Sequence, residues 1–108
     1  MARYGKETPL SPKRVILVAR EHFGPDGELG LPIVRESWNE VSFEGGGGGV
    51  TVSAMPKPAR LDVTDVTITS REYDRWAERY LAALPNVPGP APAPVRWVRG
   101  LLRRLGGR

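Results

Sequence analysis

Along this 108-residue chain, the apolar positions fall into two kinds of pattern. Val34 to Glu44 alternates, with Val41 and Phe43 on one face and Glu40, Ser42 and Glu44 on the other, as a strand does. Val50, Val52 and Ala54 alternate with Thr51, Ser53 and Met55 in a further strand, which Pro56 and Pro58 are expected to end. Leu61 to Ile68 supplies another, with Val66 and Ile68 sharing a face. The β-branched run RVILVAR at residues 14–20 predicts a strand buried on both faces, with Val15 and Leu17 in the core. The second pattern is helical. Tyr73, Trp76, Ala77, Tyr80, Leu81 and Leu84 occur at i, i+3, i+4, i+7, i+8 and i+11, one face of a helix over 70–84. Thr69 and Glu72 are spaced as a capping box for it, and Pro85 stops it.

These elements predict one small α+β domain. It is a β-rich sandwich or partial barrel of about four strands with one packed helix. The expected core is Val15, Leu17, Val41, Phe43, Val50, Val52, Val66, Ile68, Tyr73, Trp76, Tyr80, Leu81 and Leu84. Residues 1–13, with two prolines and few apolar side chains, read as an extended arm before a domain over 14–84. Pro25-Asp26-Gly27 is a turn signal. Residues 85–94 (PNVPGPAPAP) form a semi-rigid spacer of polyproline II character.

The stretch after the spacer is amphipathic. Val95, Trp97, Val98, Leu101, Leu102 and Leu105 take one half of a helical wheel, and Arg96, Arg99, Arg103 and Arg104 the other. A helix of about three turns that contains Gly100 forms only when its apolar face is covered, so residues 95–108 are a docking segment. Its surface could belong to this domain, to a partner protein or to a membrane.

Charge changes this picture little in total and much in distribution. The net +4 divides into +4 for residues 1–20, −5 for 21–94 and +5 for 95–108. The basic ends could meet the acidic body of a neighbouring copy, which suits self-assembly. A nucleic-acid binder normally carries its basic patch on the folded body. Candidate chemistry is sparse. With one histidine and no cysteine, the chain offers no thiolate nucleophile and no cysteine-based zinc site, and the acids lack the spacing of a calcium loop. No cofactor, metal site or catalytic set is expected, and the reading is non-enzymatic. The longest apolar run, Val15 to Ala19, is too short to cross a bilayer.

Gly45 to Gly49 could suggest a phosphate-binding loop, but such loops lead into a helix whose amides hold the anion. This run leads into Val50-Thr51-Val52. It is expected to join two antiparallel strands as a loop ordered by a neighbouring subunit, so that alanine there harms assembly more than folding.

The stretch SWNEVSFEGGGGGVTVSAMPKPARLDVTDVTITSREYDRW, residues 38–76, resembles the tail-tube proteins of bacteriophages and related contractile injection machines. The shared order is a strand ending in E-V-S, a glycine-rich loop, a short Met-Pro element, the strand D-V-T-I-T and a tryptophan-bearing helix. The resemblance implies a small sandwich or barrel assembled into stacked hexameric rings, with Gly45 to Gly49 between subunits or rings and DNA passing through the tube. The expected function is thus a structural protein of a phage-like particle, in a virion or host cytoplasm, with copies of itself and other virion or host-assembly proteins as partners. The alternative is an adaptor or cargo-type protein that docks to a partner or a membrane surface through residues 95–108.

Overall fold

A computed structural model describes residues 2–87, so most of the spacer and the whole docking segment lie outside the described residues. The elements run β1 (Ala2–Thr8), α1 (Pro12–Phe23), β2 (Ile33–Glu36), β3 (Glu40–Gly45), β4 (Gly48–Lys57), β5 (Arg60–Arg71) and α2 (Asp74–Ala83). The five strands form one antiparallel sheet in the order β1-β5-β4-β3-β2. Both helices pack on one face of it, so the second layer is helical in place of the second sheet of a sandwich.

The core lies between these layers. Val41 and Phe43 of β3, Val50, Val52 and Ala54 of β4, and Val66 and Ile68 of β5 meet Val15, Ile16, Ala19 and Phe23 of α1 and Ala77 and Tyr80 of α2. Leu84 is buried as expected, whereas Tyr73, Trp76 and Leu81 pack only at its margin. Tyr80 ties the two helices together. Its hydroxyl donates to the Val15 carbonyl at 3.0 Å, and its ring lies 5.4 Å from Phe23 and 5.6 Å from His22. Burial pushes the Tyr80 hydroxyl far above the usual phenol range, which keeps it a donor.

Several expectations need correction. Residues 14–20 are helical, not a strand. Ser11 caps α1 by accepting from the Arg14 amide at 3.3 Å, and Pro12 occupies its first turn, where a missing N–H costs nothing. Four buried side chains, Val15, Ile16, Ala19 and Phe23, then follow helical spacing, which leaves Leu17 on the outer side, 44% exposed and not in the core. Residues 2–8 are not a free arm but β1, paired in unbroken register with β5 from Ala2↔Ser70 to Thr8↔Thr64. The strand expected over 34–44 divides into β2 and β3 about a turn at Ser37, where the Ser37 amide donates to the Glu40 carbonyl at 2.8 Å.

Pro56 does not end β4, which continues to Lys57. Pairing with β3 stops at Ser53, so the Pro56 nitrogen has no strand beside it on that side.

The capping box is absent too, because Thr69 to Arg71 belong to β5 and α2 starts at Asp74. Glu72 turns the chain between them at φ +75°, a left-handed conformation that costs a non-glycine residue about 1 kcal/mol. At its other end α2 is capped from the sheet. Lys6 of β1 donates through Nζ to the carbonyls of Leu81 (2.7 Å) and Leu84 (2.6 Å), and Thr8 Oγ1 to that of Pro85 (2.8 Å). A cation at the negative end of a helix is favourable.

Ser70, fully buried between β1 and β4, has no hydrogen-bond partner for its hydroxyl among the described residues. Removing that hydroxyl relieves a desolvation cost. Ser70→Ala is expected to raise the unfolding free energy by about 1 kcal/mol, as read from urea denaturation.

Candidate interaction surface

The helices cover one face of the sheet; no helix covers the other among the described residues, where Thr51, Ser53, Thr67 and Thr69 are half-buried and Ser42 is buried between its neighbours. Cross-strand register builds it in rows. Arg35, Ser42, Thr51, Thr69 and Arg3 form one row across all five strands. Glu40, Ser53, Thr67 and Gly5 form the next, and Met55, Asp65 and Glu7 a third. The middle of the face is therefore lined with short hydroxyl side chains. Ser42 and Thr51 share a hydrogen bond at 2.9 Å, and Ser53 donates to Glu40 at 3.2 Å. Charged side chains occupy most of the row ends, Arg3 and Glu7 on β1 and Arg35 and Glu40 on β2 and β3. Glu7 forms an ion pair with Lys57, whose ammonium that hydrogen bond holds above its ordinary range. Arg35 lies 3.7 Å from Glu40. Arg3 has no carboxylate within ion-pair distance among the described residues.

Exposed apolar side chains cluster at one end of this sheet. Trp38, 66% exposed, sits at the tip of the β2–β3 turn, and Asn39 beside it donates to the sulfur of the exposed Met55 at 2.7 Å. The alternation over 34–44 sets Trp38 with Glu40, Ser42 and Glu44, opposite Val41 and Phe43, but gives no sign of the turn that carries it to the tip.

The two sheet edges differ. β2 is four residues long, follows Pro32, and has a register shift between Ile33 and Arg35, so its free edge is blunted. β1 is seven residues long, contains no proline and has no register shift. Its inner side chains are fixed, Lys6 by α2 as above. Tyr4 faces the same helix; partial burial, then Asp74 and Glu78, raise its hydroxyl above the usual phenol range. Its outer edge is unpaired among the described residues.

The glycines take a different form from the flexible loop expected of them. Gly45 and Gly48 are paired, and Gly46 and Gly47 make a two-residue hairpin turn with φ of +62° and +86°. Tyr73 seals it from inside the chain by donating to the Gly45 carbonyl at 2.6 Å. Gly48 passes so close to β5 that a side chain there would meet the Arg71 carbonyl and lie 2.8 Å from both Glu72 Cβ and Tyr73 Cε2. The run is held by its own domain.

Of the expected docking residues, Arg96, Trp97, Val98, Arg99, Leu101, Leu102, Arg103, Arg104 and Leu105 all lie outside the described residues. Among the described residues no three His, Asp or Glu side chains gather where a metal ion would sit, and no helix is long and apolar enough to cross a membrane. No protein-family model matches the chain, and neither does any curated protein or solved structure.

Proposed function

We propose that this chain is a non-enzymatic structural module that works as a homo-oligomer. The observation that carries the reading is the open sheet: a hydroxyl-lined face, continuous with a seven-residue strand edge that is unpaired among the described residues. Backbone amides and carbonyls along such an edge add a further strand without any change of fold. Short side chains on the face let another backbone surface approach, and the mixed charges at its two margins favour one orientation. The resemblance over residues 38–76 supplies the setting, a phage-like particle built by repetition of this subunit. A sandwich or barrel, in this reading, belongs to the assembled state, where a second sheet layer comes from a neighbour. Negative-stain imaging of the concentrated full chain is expected to show regular particles larger than one subunit. Fields of single subunits at every concentration would overturn the proposal.

A further inference from the structure

Resting on that homo-oligomeric reading, we infer that β1 is the self-pairing edge and that two copies join antiparallel about a two-fold axis at Gly5. The strand reads Ala2-Arg3-Tyr4-Gly5-Lys6-Glu7-Thr8. When an antiparallel strand meets its own copy about a two-fold axis, residues equidistant from the centre face each other on the same side of the sheet. With Gly5 at the centre, Arg3 faces Glu7 of the second copy, and Glu7 faces its Arg3. Both pairs lie on the open face, because Arg3, Gly5 and Glu7 share that face in β1. The pairing is thus self-complementary in charge, and opposite charges directly across strands stabilise the pair while like charges oppose it. Shifting the axis by one residue toward the C-terminus sets Glu7 opposite Gly5 and Arg3 outside the strand pair, so both ion pairs are lost. Arg3 lacks a carboxylate partner among the described residues, and Glu7 has its second oxygen free of the bond to Lys57.

Among the described residues, the usual guards of an edge strand do not act here. Lys6 points inward, but its ammonium is committed to the carbonyls of Leu81 and Leu84, so it is not an unpaired charge that would repel an added strand. Gly5 at the axis removes side chains where the two strands come face to face. The product is a ten-stranded sheet with both helical layers on the same side and an open face of twice the width. Its two remaining edges are the blunted β2 strands, so pairing through β1 closes rather than propagates.

Because the chain contains no cysteine, single introduced thiols report the pairing directly. A side chain added at Gly5 meets only the Val66 carbonyl, at an ordinary 3.6 Å, so Gly5→Cys leaves the fold intact. On the axis its two copies lie about 4.5–5.5 Å apart, within disulfide reach. Thr67→Cys, one strand further in on the same row, is the control. Under mild oxidation Gly5→Cys is expected to form a covalent dimer and Thr67→Cys to stay monomeric on denaturing gels. Adding Arg3→Glu should slow Gly5→Cys cross-linking about tenfold, and adding Glu7→Arg to that variant should restore it. If the unmodified chain sediments as an oligomer while Gly5→Cys cross-links no faster than Thr67→Cys, the β1 pairing is wrong and the homo-oligomeric reading stands. If the unmodified chain sediments as a monomer throughout, both are wrong.

Discussion

Tyr80→Ala is expected to remove about 3–5 kcal/mol of stability, the largest loss from any single truncation in this domain. The residue is fully buried and is the largest such side chain among the described residues, and it sits where α1, α2 and the sheet converge. Its ring fills the space beside Phe23, 5.4 Å away, and its hydroxyl closes the gap to the Val15 carbonyl at 3.0 Å. Truncation leaves a cavity between two helices that few other contacts hold together. Small domains have only about 5–15 kcal/mol in total, so the variant should be partly unfolded at ordinary temperature. Tyr80→Phe separates the two contributions. It keeps the ring and loses one hydrogen bond, and Val15, whose carbonyl can still accept within α1, is not left bare. A cost of about 1 kcal/mol is expected. Urea denaturation followed by circular dichroism measures both. A Tyr80→Ala cost no larger than that of Tyr80→Phe would mean that α2 is not packed as described.

The second large effect is at Gly48, where alanine is expected to cost about 3 kcal/mol. Its Cβ would strike the Arg71 carbonyl and press on Glu72 Cβ and Tyr73 Cε2, both at 2.8 Å. None of these can move freely. Arg71 is in the β4–β5 ladder, Glu72 is already held at φ +75°, and Tyr73 is fixed by its bond to Gly45. Gly47→Ala is the informative contrast. Its side chain would meet nothing within 4 Å, so only the φ of +86° opposes it, and about 1–2 kcal/mol is expected. The order Gly48 above Gly47 distinguishes close packing from turn conformation. Measuring sedimentation beside stability for Gly48→Ala decides whether alanine in this run harms assembly more than folding.

Much of the β-sheet was legible because alternation and burial agree. Val41, Phe43, Val50, Val52, Val66 and Ile68 face the core as their spacing requires, and the glycines do join two antiparallel strands. The inward face of α2 was partly legible for the same reason, with Tyr80 and Leu84 buried. The N-terminal third was misread. Val15-Ile16-Leu17-Val18 has the β-branched composition of a strand, yet Ser11-Pro12 before it is a helix start, and the cap outweighs propensity. β1 was missed because its glycine and charges give it little apolar signal. Only its partner, the long strand β5, makes it a strand. The false capping box over 69–72 arose from the same blindness, since Thr69 and Ser70 pair with Thr51 and Val50 before the chain can turn helical.

The interaction surface was less legible than the fold. In the sequence Arg3 and Glu7 are only charges on a weakly apolar segment, and their placement at mirror positions about Gly5 acquires meaning only once the strand is an edge.

The most direct test of the homo-oligomeric account is sedimentation equilibrium on the full chain from micromolar to millimolar concentration. The account predicts a weight-average mass that rises with concentration from 11.8 kDa to at least twice that value. A mass fixed at that of one chain across the whole range would contradict it.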